Sequence, residues 1–180
     1  MRLRAPHLAP LLLLAPALAF AGWSVDGKHK VGFHADGPAG FAIDGVAEEF
    51  TVSETDSALV FTVPVSAVTT GIDLRDDHMR KYAGAEQHPN VLLSIPNDQI
   101  TWPDEENKKR TGSAQATFTL NGVEQPVTVK YAVKTGKTGV DWVAGFAFDT
   151  SKHGIVIDEY MGVSVDPKMS AQAKFTTVNN

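Results

Sequence analysis

The sequence predicts an all-β protein with one short helix, its antiparallel strands forming a sandwich or a barrel. Three observations predict this. The first is a hairpin at Gly112–Val133, GSAQATFTLNGVEQPVTVKYAV. Ala114, Ala116, Phe118 and Leu120 share one face of its outgoing strand, and Val127, Val129, Tyr131 and Val133 share one face of its return. Side chains alternate sides along a strand, so this period of two turns an apolar face inward and a polar face to water. The second is recurrence: about eight short segments show the same alternation, separated by Gly, Pro, Asn and Asp. The third is scarcity of the helical period, which only Asp73 to Ala83 carries, through Leu74, His78 and Tyr82 at i, i+4 and i+8.

Taken in order, the chain opens on Arg2 and Arg4, then an apolar run to Phe20, then a small-x-small site at Ala19-Phe20-Ala21. That is the layout of a cleaved signal peptide. Pro10 and Pro16 interrupt a run already short for a membrane span of ~20 residues. Residues 1–21 are therefore expected to be a leader and 22–180 one exported domain, periplasmic or secreted, with no stable membrane insertion.

Trp23 to Phe33 reads as two short strands about a turn at Gly27, and Ala35 to Gly40 as a loop. Phe41 to Val52 carries Phe41, Ile43, Phe50 and Val52, with Gly45 expected to form a bulge. In Leu59 to Val68, Leu59, Phe61, Val63, Val65 and Ala67 share one face, and Pro64 points to an edge or a bulge. The helix follows. Asp76 with Arg80 and Asp77 with Lys81 are acid-before-base pairs at i, i+4, which support a helix by ~0.2–0.5 kcal/mol each. Val91 to Ile95 is a strand, and Gln99 to Trp102 is expected to continue it past a kink at Pro96. After the charged loop Pro103–Arg110 comes the hairpin. Asn121-Gly122 suits its turn, because both residues tolerate positive φ. Trp142, Ala144, Phe146 and Phe148 alternate along the next strand, and Ala171, Ala173 and Phe175 along the last. Ile155 to Val165 fits neither period.

Composition narrows the function. The chain has no cysteine, so its stability rests on a packed core and not on disulfides. Its net charge is −5, and loss of Arg2 and Arg4 with the leader makes it two units more negative. Nucleic acid is not expected as a partner, since phosphate backbones are bound through basic patches. No G-x-S-x-G, S-x-x-K or phosphate-cradling glycine loop is present. His29, His34, His78, His88 and His153 show no metal-ligand spacing, so no metal, cofactor or catalytic group is expected. The Asp76-Asp77 pair reads as a solvated helix start, and His78 as a core-edge histidine. Phe33, Phe61, Val63, Phe118, Val129, Tyr131, Trp142, Phe146 and Phe148 lie on apolar phases, where plain core and pocket lining look alike. The small in-phase Ala114, Ala116, Ala144, Ala171 and Ala173 leave volume that suggests a lining.

Three stretches resemble the YceI-like family. They are Thr70–Ile95, TGIDLRDDHMRKYAGAEQHPNVLLSI; the hairpin Gly112–Val133; and FDTSKHGI at Phe148–Ile155 with VSVDPKMSAQAKF at Val163–Phe175. Thr150, Lys152 and His153 depart from the family's Arg and Asp-aromatic pattern. The resemblance implies a lipocalin-like barrel of about eight antiparallel strands. It also implies an isoprenoid lipid or quinone held inside. The nine apolar-phase residues would then line the interior, and Arg75, His78 and Tyr82 would meet the headgroup. A homodimer is compatible with this reading. The alternative is a filled barrel, an envelope accessory or stress-related protein that docks a partner protein.

Overall fold

The computed structural model describes residues 22–47, 49–159 and 164–179. The expected leader, residues 1–21, lies outside them, as does part of the segment at 155–165. Ten strands and one helix are found among the described residues. They are β1 Trp23–Asp36, β2 Ala42–Ala47, β3 Thr51–Glu54, β4 Ala58–Pro64, β5 Val68–Thr69, α1 Asp73–Tyr82, β6 Asn90–Pro96, β7 Lys109–Leu120, β8 Val123–Thr135, β9 Val140–Asp149 and β10 Lys168–Asn179. Every strand pairing is antiparallel, in the order β3-β4-β6-β7-β8-β9-β10-β1-β2-β5. The sheet curls until β3 lies against β1, giving a lipocalin-like barrel. β3 and β5, the ends of the order, share no ladder among the described residues, so the wall is a curled half-barrel.

The hairpin is β7–β8, with Leu120 opposite Val123 and the turn at Asn121 (φ 51°) and Gly122 (φ 71°). All eight of its inward residues are buried. Pro126 lies in the part of β8 that precedes its pairing with β9, so its missing N–H costs no bond to that strand.

The strand count departs from about eight for local reasons. The region 41–52 divides into β2 and β3, and the two-residue β5 adds another strand. In the opposite sense, Trp23–Asp36 is one continuous strand where two had been expected. Gly27 (φ 69°) sits in a register shift between Asp26 and Lys30, with β10 as partner on both sides. The glycine makes a bulge within a strand and not a hairpin turn. Gly45 makes no bulge: it pairs regularly with Phe33, whose ring occupies the space a Cβ would take. Pro64 ends β4 two residues beyond that strand's last pairing with β3, although β4 itself lies inside the sheet. Gln99–Trp102 is not a strand. Asn97–Gln99 form a 3-10 turn, and the Thr101 N–H donates to the Tyr131 hydroxyl in place of a ladder partner (2.8 Å).

The core lies on the concave face. Phe50, Phe61, Trp142 and Phe175 meet edge-on or stacked at 5.1–6.3 Å between ring centres. Trp23 stacks on Trp102 at 4.9 Å, and Trp102 in turn meets Trp142 edge-on at 5.4 Å. Buried Leu59 and Ile95, cross-strand partners on β4 and β6, complete this packed region.

Candidate functional site

The apolar phases of the strands do not fill the interior. A cavity of about 700 Å³ runs through it, within the ~300–1,000 Å³ of pockets that enclose small organic ligands. Buried Trp142, Val129, Ile95 and Phe118 border it. Ala144, Ala171 and Ala173, with Gly32 and Gly145, leave the walls thin and the space open. At the other extreme, Phe41, Ile72 and Leu74 border the cavity while 42 %, 53 % and 65 % exposed, and so mark its mouth.

Polar groups collect at α1. Asp76, on the helix, is only 3 % exposed. Its carboxylate accepts from the Thr69 hydroxyl (2.7 Å), the Thr70 N–H (2.8 Å) and the Thr70 hydroxyl. The Thr70 oxygen in turn accepts from Arg75 Nε (2.8 Å), and the Thr70 carbonyl from Arg75 Nη2 (2.8 Å). Burial by itself pushes the Asp76 carboxyl up. The hydrogen bonds from Thr70 and Thr69 outweigh it and hold the group below the usual carboxylate range. This knot fastens a ten-residue helix, too short to persist undocked.

The sequence profile of the YceI-like domain matches residues 23–176. The chain belongs to the YceI-like family. No relative was found among curated proteins. The YceI-like chain is similar in fold to a polyisoprenoid-binding domain from Saccharophagus degradans implicated in plant cell wall breakdown. That match has a TM-score of 0.70 at 12% identity, covering 88% of this chain and 98% of the other. Burkholderia cenocepacia BcnA gives 0.66 at 14% identity, over 86% of this chain and 99% of BcnA. A Campylobacter jejuni YceI protein gives 0.50 at 16% identity, over 73% and 84%.

Eight of the nine strand residues that the family resemblance implicates border the cavity: Phe33, Phe61, Val63, Phe118, Val129, Trp142, Phe146 and Phe148. Tyr131 does not. Its hydroxyl accepts from Thr101 N–H and donates to the Gln99 carbonyl (3.1 Å), so it closes packed core beside the cavity. Ala114 and Ala116 are likewise buried without bordering the cavity. Arg75, His78 and Tyr82 come together at the mouth. His78 is exposed and not a core-edge residue, with its ring 6.4 Å from that of Tyr82. Tyr82 donates a long hydrogen bond to Asp158 (3.4 Å).

The Asp76-Asp77 pair is not a solvated helix start. Asp77 pairs with Arg80 at i, i+3 (3.1 Å), while Asp76 turns inward to the threonines and leaves Arg80 without the expected i, i+4 contact. Sequence reasoning missed this hook. Its signal is the pair Thr69-Thr70 ahead of an acid-rich first turn, since hydroxyls and carboxylates near helix starts bond locally. Of the three departures from the family pattern, only His153 meets the hairpin through its side chain. His153 Nδ1 donates to the Val123 carbonyl (2.9 Å), and its own carbonyl accepts from Asn121 (3.1 Å). The Lys152 carbonyl accepts from Gln125 (3.1 Å). These residues tie the turn at 150–153 onto the β7–β8 hairpin, and Thr150 alone of the three borders the cavity.

Asp76→Ala is expected to lower unfolding free energy by about 3 kcal/mol, since hydrogen bonds to a buried charge are worth ~1.5–3 kcal/mol each and do not add fully. Urea denaturation measures it. The folded value lies below the unfolded one, near 3.9. The carboxylate's contribution is therefore complete above about pH 4 and fades as pH falls through the folded value. In Asp76→Ala, stability should lose that part of its acid dependence.

Proposed function

We propose that this protein binds a long apolar chain, an isoprenoid lipid or the tail of an isoprenoid quinone, inside its barrel. In this reading it is a carrier and not an enzyme, exported to the periplasm or secreted. One observation carries the proposal: about 700 Å³ of interior, bounded by aromatic, aliphatic and very small side chains, is left unfilled. Protein interiors are otherwise close-packed. The S. degradans neighbour, described as polyisoprenoid-binding, supports the choice of ligand class. The nine apolar-phase residues less Tyr131 would contact the chain, with Arg75, His78 and Tyr82 at its polar end. A filled barrel that docks a partner protein is the weaker reading, because side chains do not fill this interior.

The test is titration with prenols of increasing length, read by tryptophan fluorescence, since Trp142 borders the cavity. Each buried methylene contributes about 0.8 kcal/mol, roughly fourfold in affinity. Affinity should climb with length and level off once the cavity is full. No binding at any length, or binding indifferent to length, would overturn the proposal.

A further inference from the structure

We propose that the polar end of the ligand is an anionic oxygen group, a carboxylate or a phosphate, seated on Arg75. This deepens the reading of the cavity as a lipid site and rests on it. Arginine presents five N–H donors in a planar fork and keeps its charge at any physiological pH. The edge formed by Nε and Nη2 is committed to Thr70, through its hydroxyl oxygen and its carbonyl. Both Thr70 groups are uncharged, so the side chain is fixed without being neutralised. Arg75 forms no ion pair among the described residues. The opposite edge, Nη1 with the second Nη2 hydrogen, has no partner among the described residues.

Arg75 borders the cavity and is half-buried. A cation held at the rim of an apolar space gains most from an acceptor that brings negative charge with it. Two oxygens of one carboxylate or phosphate match the paired N–H groups of that free edge. The geometry is set in advance: buried Asp76 holds Thr70, and Thr70 holds Arg75. Binding therefore forfeits little side-chain freedom. Two carboxylates also border the mouth, but Asp158 and Glu159 are exposed to solvent, where their repulsion is screened. Asp158 is further engaged by the Tyr82 hydroxyl.

The experiment compares a prenol, the prenyl monophosphate and the prenoic acid of one chain length, with inorganic phosphate alone as a fourth probe. In the wild-type protein at least one of the two anionic lipids should bind about tenfold or more tightly than the alcohol. Whichever does so identifies the headgroup. Inorganic phosphate should not compete, because the chain supplies the affinity. Arg75→Gln should abolish the preference, bringing the ratio of anionic-lipid to prenol affinity measured in that variant to within about twofold of one. Arg75→Lys should restore part of it, a charge without the fork. Equal affinity for alcohol and anions in the wild type, or a preference that survives in Arg75→Gln, overturns this inference and leaves the carrier reading standing. Competition by inorganic phosphate also overturns it, since the site would then take a free anion. Failure of every prenyl probe sinks the carrier reading itself, and this inference with it.

Discussion

Truncating Trp142 to alanine is expected to cost about 3–5 kcal/mol of stability, the range for removing a buried aromatic side chain. The residue is 1 % exposed. It stacks on Phe175 of β10 (5.8 Å, 9°), meets Phe61 of β4 edge-on (6.3 Å), and meets Trp102 from the segment after β6 (5.4 Å). Its Nε1–H donates to the buried Thr177 hydroxyl (3.0 Å). One side chain thus joins three strands and an irregular segment. Such aromatic pairs contribute ~0.5–1.5 kcal/mol beyond the area they bury. Since domains are held by ~5–15 kcal/mol in all, the loss would be a large fraction of the total. Chemical denaturation should show the midpoint falling sharply. Trp142→Phe should keep most of the packing and lose chiefly the bond to Thr177. A cost below about 1 kcal/mol for Trp142→Ala would mean that this aromatic cluster does not hold the barrel together.

The largest effect on binding is expected from filling the cavity. Ala144 and Ala173 are cross-strand partners on β9 and β10, and both border the open space. Directly opposed residues have Cβ atoms ~4.5–5.5 Å apart, so two phenylalanines there can pack on each other. The double variant Ala144→Phe/Ala173→Phe should lower affinity for a prenyl chain by about 100-fold or more, because the new rings take the place of several buried methylenes. Its stability should change little or rise, since the rings enter space that is already vacant. Ala114→Phe supplies the contrast. Ala114 is fully buried and does not border the cavity, so overpacking there should cost about 1–3 kcal/mol. Parallel isothermal titration and denaturation distinguish the two. Retained affinity in the double variant would show that the chain binds elsewhere.

These alanines also mark the limit of what the sequence discloses. The period of two correctly assigns each strand's inward side, which is why β7–β8 and the apolar phase of β9 were legible. It says nothing of depth along the barrel. Ala114 and Ala144 share the same phase and size, yet one is packed by neighbours and the other faces open space. Tyr131 went astray for the same reason: an inward tyrosine lines a pocket or closes a core according to where its hydroxyl finds partners, and those partners, Gln99 and Thr101, lie in a segment expected to be strand. Asp76 was misread because charge spacing on a helix suggests i, i+4 pairing and cannot reveal two threonines folded back beneath the first turn. Gly27 gave the right backbone freedom and the wrong element. Positive φ serves a bulge as well as a turn, and only the partner strand β10 decides between them.

A carrier of this kind needs an interior that shelters one oily chain. Native mass spectrometry tests this most directly, on protein purified after export from a bacterial host and then incubated with a long-chain prenol. The prediction is one lipid-sized mass increment per polypeptide, released by organic solvent and missing from Ala144→Phe/Ala173→Phe. A bare polypeptide mass, unchanged after incubation, would contradict it.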